Sequence, residues 1–175
     1  MGMGGLGYSS LFVLNYLNCK EIVCIDNNIN KLKILKKNKN FKFFHLNNKN
    51  FKKFLNDNYE KFDLIIDCTG SKKLIEKTLS MCKKFTGKFI LIGNTKKKEM
   101  LSIKSWDIIF GKTLTGAWGK GGTIMKNFDI NQNILENQIK YIKQILPKKN
   151  YKINQINEAI NDFKKGKILR PIIKF

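Results

Sequence analysis

Arginine is nearly absent from this chain. Of its 34 basic residues only Arg170 is an arginine, and the rest are lysines. Acids are also few, 13 against those 34, so the formal net charge is +21. A charge of that size raises nucleic-acid or anionic-membrane binding as a function class. Specific readout, however, favours the planar, forked guanidinium that is missing here. The lysines are spread along the whole chain, and Asn and Ile are abundant, as an A+T-rich coding sequence would make them. Compositional drift therefore outweighs a dedicated nucleic-acid surface. The charge by itself implies only weak, salt-sensitive polyanion binding.

Histidine is as scarce, with His45 alone. The four cysteines, Cys19, Cys24, Cys68 and Cys82, form no CxxC pair. A protein zinc site needs about four suitably spaced ligands, so no metal site is expected. Three of the cysteines lie in or beside apolar runs, where a thiol is a small core residue. Reduced thiols in a cytoplasmic protein are the expectation. No apolar run is long enough to span a bilayer: Leu11 to Leu17 is short and is interrupted by Asn15. No basic residue precedes it, as one would in a signal peptide.

What the chain does have is alternation. Apolar runs alternate with amphipathic segments, the pattern of βα units on a parallel sheet. Strands are expected at Glu21–Asp26, Phe41–Leu46, Phe62–Asp67 and Lys88–Gly93, with an edge strand at Thr113–Ala117. Helices are expected from the opening glycines to Leu17, over Ile29–Lys37, around Phe51–Leu55, after Ser71 as N-cap and over Ile130–Leu146, where Pro147 stops the last, with a short helical or turn segment at Trp106–Phe110. Asn154 is the expected N-cap of a last helix, Gly166 its C-cap, and Ile168–Phe175 reads as extended. Trp118–Gly122 reads as a glycine-rich, flexible segment.

One motif carries chemistry. Gly2-Met-Gly4-Gly5-Leu6-Gly7 opens a helix, and the strand that follows ends at Asp26, 19 residues after Gly7. That combination is the dinucleotide fingerprint. Glycines without Cβ let the backbone turn tightly and approach a pyrophosphate, and the helix N-terminus offers it free N–H groups. Asp26 can accept hydrogen bonds from both hydroxyls of the adenosine ribose. A carboxylate there would repel a 2′-phosphate, which favours NAD over NADP.

From Gly2 to Phe175 the sequence resembles the coenzyme domain and C-terminal tail of zinc-type (medium-chain) alcohol dehydrogenases. Asp26-Asn-Asn-Ile-Asn-Lys31 resembles the family's ribose-binding turn. Asp67-Cys-Thr69-Gly70 and Ile90-Leu-Ile92-Gly93 resemble two strand ends beneath the nicotinamide. Gly111-Lys-Thr-Leu-Thr-Gly-Ala117-Trp-Gly119 is similar to the strand and turn that bond the carboxamide, and Gly166-Lys-Ile-Leu-Arg170-Pro-Ile-Ile-Lys-Phe175 to the closing strand. The resemblance implies cofactor contacts from Lys31, Thr69, Ile92, Gly93 and Ala117, with Arg170 reaching the pyrophosphate. It also implies a homodimer through the edge strand near Thr113, with no specific nucleic-acid partner and no membrane.

The expected fold is thus α/β, a Rossmann-type doubly wound parallel sheet. Residues 1–117 form the NAD(H)-binding domain, and 118–175 form helices and a closing strand that would pack on a catalytic domain. Only Met1 precedes Gly2, where about five or six strand residues are expected. The chain therefore reads as lacking its first strand and the N-terminal GroES-like catalytic domain with its zinc. In strand order 3-2-1-4-5-6 that strand is central, and each buried backbone group it leaves unpaired costs about 1–3 kcal/mol. A truncated or split gene product is the expectation, inactive alone and either unstable or unlike the family at that gap. The alternatives are a non-catalytic dinucleotide-binding module and, on the opening residues only, an S-adenosylmethionine-dependent methyltransferase.

Overall fold

Strand β1 (Ile22–Asp26) is buried at every residue but Val23 and pairs in parallel with β2 (Phe41–His45), Ile22 opposite Phe41 and Asp26 opposite His45. The computed structural model describes residues 1–35, 40–47, 49–118, 124–147 and 149–175. These fall into two units, residues 3–45 with 122–175 and residues 1–2 with 46–121.

In the first unit helix α1 (Gly5–Tyr16) buries Gly7, Tyr8, Leu11 and Phe12 at helical spacing. The Tyr8, Leu11 and Phe12 side chains meet Ile22 and Cys24 of β1, Phe41 of β2 and Leu169 of the tail in one apolar cluster. Each large apolar side chain fully buried there contributes about 1.5–3 kcal/mol. Burial pushes the Cys24 thiol up to about 12. Helix α2 is one turn, Ile29–Leu32, shorter than the expected Ile29–Lys37. The chain leaves it through turn bonds from the Lys33 and Ile34 N–H groups to the Asn30 and Lys31 carbonyls. Residues 36–39, in the rest of the expected helix and just beyond it, lie outside the described residues.

Ile134, Tyr141, Ile142 and Ile145 of a long helix, α6, pack on the same cluster. This helix spans Ile124–Ile145 and begins six residues before the expected Ile130. Asn15 donates to the buried Gln138 at 2.6 Å, a polar tie between α1 and α6. Strand β6 (Tyr151–Lys152) pairs in parallel with β7 (Ile173–Lys174), and α7 (Ile156–Lys164) connects them. Asn154 is not the cap of α7. It lies within a 3-10 turn, Ile153–Gln155, where the Gln155 side chain accepts the Lys152 N–H at 3.0 Å. Gly166 follows the C-cap Lys165 with φ +70, the left-handed conformation that ends helices.

In the second unit α3 (Phe51–Asp57) leads to a three-stranded parallel sheet in the order β3 (Leu64–Asp67), β4 (Lys88–Leu91), β5 (Thr113–Gly116). Helix α4 (Lys72–Thr78) continues as a 3-10 turn through Met81, and α5 (Ser105–Ile109) precedes β5. Ile75, Leu79, Met81, Cys82 and Phe89 are almost fully buried. Ser71 holds the N-cap position of α4, but its side chain caps nothing. Lys112 is buried and bonds Asp107 at 2.6 Å, with Glu60 at 3.7 Å, tying the approach to β5 into this unit.

Among the described residues the named strands form three parallel sheets, β1 with β2, β3 with β4 and β5, and β6 with β7. The β3 edge is not bare. Met1 donates its amino group to Ile66 O at 2.6 Å, and Cys68 N–H donates to Met1 O at 2.9 Å. One residue thereby fills two positions of the edge that was expected to be unpaired. No helix among the described residues is long and apolar enough to cross a membrane.

Candidate cofactor site

The expected site residues divide between the two units. The glycine turn from Met3 onward, Asp26, Lys31 and Arg170 belong to the first. Gly2, Thr69, Ile92, Gly93 and Ala117 belong to the second.

In the first unit Gly4 holds the N-cap of α1 in extended conformation, and its carbonyl accepts the Tyr8 N–H at 3.0 Å. Helix geometry leaves the N–H groups of the first turn, Gly5 to Gly7, without an intrahelical acceptor. No acidic residue stands in that turn to neutralise the positive helix end. The space a side chain at Gly4 would take is open: among the described residues, its chain neighbours apart, no atom lies within 4 Å of it. Gly5 differs: a Cβ there would lie 2.6 Å from the Arg170 guanidinium. The sole arginine is therefore laid on the start of α1. Leu6 is about half exposed, while Gly7 is buried against the core.

Asp26 ends β1 with its carboxylate turned to this loop. Oδ2 accepts the Met3 N–H at 2.7 Å and Oδ1 accepts the Asn28 N–H at 2.7 Å. A carboxylate has about four lone-pair sites, so acceptor capacity remains for two sugar hydroxyls. The buried Tyr8 hydroxyl donates to Lys31 O at 2.5 Å, which ties α1 to the turn after Asp26. Asn28 caps α2 by accepting the Asn30 N–H at 2.9 Å.

The second unit repeats the device. Buried Asp67 ends β3, and its carboxylate accepts Thr69 N–H at 3.2 Å, Thr69 Oγ1 at 2.6 Å and Gly70 N–H at 3.0 Å. Its carbonyl accepts Ile92 N–H at 2.8 Å and Gly93 N–H at 2.9 Å. A Cβ on Gly93 would fall 2.3 Å from Gly70 N, so the two strand ends meet backbone on backbone. Gly2, at φ +82, lies close to the same strand end: a Cβ on it would fall 2.7 Å from the Thr69 methyl and 3.2 Å from Thr69 N. Ala117 N–H donates to Leu91 O at 2.9 Å. Residue 119 of the segment expected to bond the carboxamide, with the rest of the glycine run to 122, lies outside the described residues.

Sequence reasoning gave no role to Tyr8, Asn28 or Asp67. Two had a signal. An acid ending a strand before Thr-Gly is an Asx-turn former, and an Asn just before a helical turn is an N-cap.

The family model for zinc-binding dehydrogenases matches residues 5–134. The chain belongs to this family. Its matched residues are the coenzyme-binding part of zinc-type alcohol dehydrogenases, which leaves no place for the methyltransferase alternative. Geraniol dehydrogenase of Carpoglyphus lactis is 25% identical over 99% of the chain and 46% of that protein. The fold matches benzyl alcohol dehydrogenase from Acinetobacter calcoaceticus with TM-score 0.79 and 23% identity, over 99% of the chain and 48% of that structure. An alcohol dehydrogenase from E. coli, complexed with cofactor NADH, matches with TM-score 0.74 and 14% identity over 99% and 50%. The chain spans about half the length of the relatives it matches. These likenesses bear out the expected α/β class, the Rossmann-like coenzyme-binding half of such dehydrogenases.

Proposed function

We propose that the chain binds NAD(H) as the coenzyme half of an alcohol dehydrogenase-like oxidoreductase. The observation that carries this reading is the Asp26 carboxylate bonded to the Met3 amide at 2.7 Å. It holds a sugar-gripping acid against a phosphate-cradling turn within one unit. The residues present fit the cofactor: open space at Gly4, a helix start without acids, and a guanidinium lying on it. In this reading Gly4, Gly5, Leu6 and Gly7 present backbone N–H groups to the pyrophosphate, and Arg170 adds its charge. Asp26 accepts from the ribose hydroxyls and Lys31 donates to them. Gly2, Thr69, Ile92, Gly93 and Ala117 of the second unit are assigned to nicotinamide contacts on the family resemblance alone. NAD(H), when bound, supplies the hydride acceptor or donor for an alcohol or carbonyl substrate. A ribose 2′-phosphate would meet the Asp26 charge, which disfavours NADP(H).

For zinc the residues do not fit. No group of three or more His, Cys, Asp or Glu among the described residues could hold a metal. In our reading zinc and the substrate pocket belong to a further domain, onto which residues 118–175 pack. The chain then acts as one portion of a larger or split enzyme. The outer side of β5, at the end of its sheet, serves to pair with a second copy, with Trp106, Ile109 and Trp118 exposed in the same unit. The four cysteines are free thiols, in keeping with a reducing cytoplasm.

Calorimetric titration of the chain with NADH, NADPH and S-adenosylmethionine tests this reading. NADH is expected to bind, NADPH more weakly and S-adenosylmethionine not at all. Binding without preference among the three, and lost steeply as salt rises, would instead mark charge-driven association.

A further inference from the structure

Arg170 lies on the first turn of α1, yet it projects from a tail whose course must be fixed for the guanidinium to arrive there. Leu169, just before it, is buried in the apolar cluster. Upstream, the tail meets the turn that follows Asp26. The Asn28 side-chain amide donates to Lys165 O at 3.3 Å. Gly166 sits so close that a Cβ on it would lie 2.6 Å from Asn28 Nδ2 and 3.2 Å from Lys31 Cγ. The orientation of the amide is not free. Its oxygen accepts the Asn30 N–H at 2.9 Å, so its nitrogen must face the tail. The backbone N–H of Asn28 is in turn held by Asp26 Oδ1 at 2.7 Å.

The geometry points to Asn28 as a positioning residue that clasps the tail to the Asp26–Lys31 turn and so sets where Arg170 meets a bound pyrophosphate. The inference rests on the NAD(H) reading given above. Its chemistry asks for an acceptor and a donor on one short side chain. Aspartate keeps the acceptor for Asn30 but turns a second oxygen toward the Lys165 carbonyl. Serine keeps a cap of α2 without the reach or the second donor. Neither change touches the groups that would contact the cofactor.

The test is Asn28→Ser, made in the otherwise unsubstituted full chain and again with Arg170→Gln. Two quantities are read: the NADH dissociation constant and amide hydrogen exchange of the peptide over residues 164–171 without ligand. The expected result is faster exchange in that peptide and roughly five- to tenfold weaker NADH binding, the worth of one hydrogen bond of this kind. With Arg170→Gln already present, the Asn28→Ser loss should shrink toward none, because the arginine it positions is gone. Asn28→Asp should weaken binding more than Asn28→Ser, again only while Arg170 is present. Unchanged exchange in the peptide, or an equal loss of affinity with and without Arg170, overturns the proposal. Failure of the unsubstituted chain to bind NADH is seen before any substitution, and it overturns the cofactor reading and this inference together.

Discussion

Met3 donates its backbone N–H to Asp26 Oδ2 across 23 residues of sequence, at 2.7 Å, while the other oxygen of that carboxylate holds Asn28. One buried acid thereby braces both loops between which the adenosine end of a dinucleotide is proposed to lie. Asp26→Asn should therefore act twice. An amide group would face one of the two N–H donors with its own N–H, destabilising the fold by about 1–3 kcal/mol. NADH affinity should fall about tenfold, and the preference for NADH over NADPH should narrow as the repelling charge goes. Thermal melting and paired titrations read the two effects separately.

Gly93→Ala should be among the most damaging small substitutions. The added carbon would stand 2.3 Å from Gly70 N and 2.7 Å from Thr69 N, both backbone atoms with no rotamer to escape into. A loss of about 1–3 kcal/mol or more is expected from such overpacking. A denaturant melt checks it. The three atoms nearest a Cβ at Gly5 all belong to the Arg170 guanidinium, so Gly5→Ala should displace the arginine and weaken NADH binding at small cost in stability.

Asp67→Ala removes the acceptor for Thr69 N–H, Thr69 Oγ1 and Gly70 N–H together. The expected loss is at least about 2 kcal/mol, since buried donors are left without partners. Asp67→Asn, which keeps an acceptor oxygen, should recover part of it. Urea unfolding of the two variants gives the comparison.

Stability should fall in alkaline solution. Burial pushes the Cys24 thiol up to about 12 and the Cys82 thiol up to about 11, from an ordinary value of 9.0. The unfolded chain then gives up these protons first, so rising pH favours unfolding. The stability these thiols lend is whole below about pH 9 and is lost progressively toward pH 11–12, each steepening the slope by up to about 1.4 kcal/mol per pH unit. Cys24→Ala with Cys82→Ala should flatten the pH dependence of the melting temperature across that window. In the native chain at pH 8 both thiols should resist alkylation, while the partly exposed Cys19 and Cys68 react.

The strands were legible because short β-branched and aromatic runs end in acids and turn residues. Ile22–Asp26 and Leu64–Asp67 lie within one or two residues of their expected bounds. The glycine turn and Asp26 were legible for the same reason: spacing along the chain encodes a strand's length. Helix limits were less so. The extent of α2 depends on the turn bonds from Lys33 and Ile34, and the start of α7 on Gln155 folding back onto Lys152. Neither shows in apolar periodicity. The clasp of Asn28 on Lys165 joins residues 137 apart, and no local pattern encodes it. The shift of Met1 onto the β3 edge was likewise hidden, because a single residue has no periodicity to read.

The most direct measurement is NADH affinity in Gly4→Ala, made beside a thermal melt. The structure leaves that position open: among the described residues, its chain neighbours apart, no atom lies within 4 Å of the added carbon. The weaker N-cap and the reduced unfolded-state entropy oppose each other, each about 1 kcal/mol or less. A pyrophosphate seated on the turn should meet the new methyl even though the protein does not. The expected result is NADH binding weakened tenfold or more with the melting temperature nearly unchanged, and equal NADH affinity in the two proteins would contradict it.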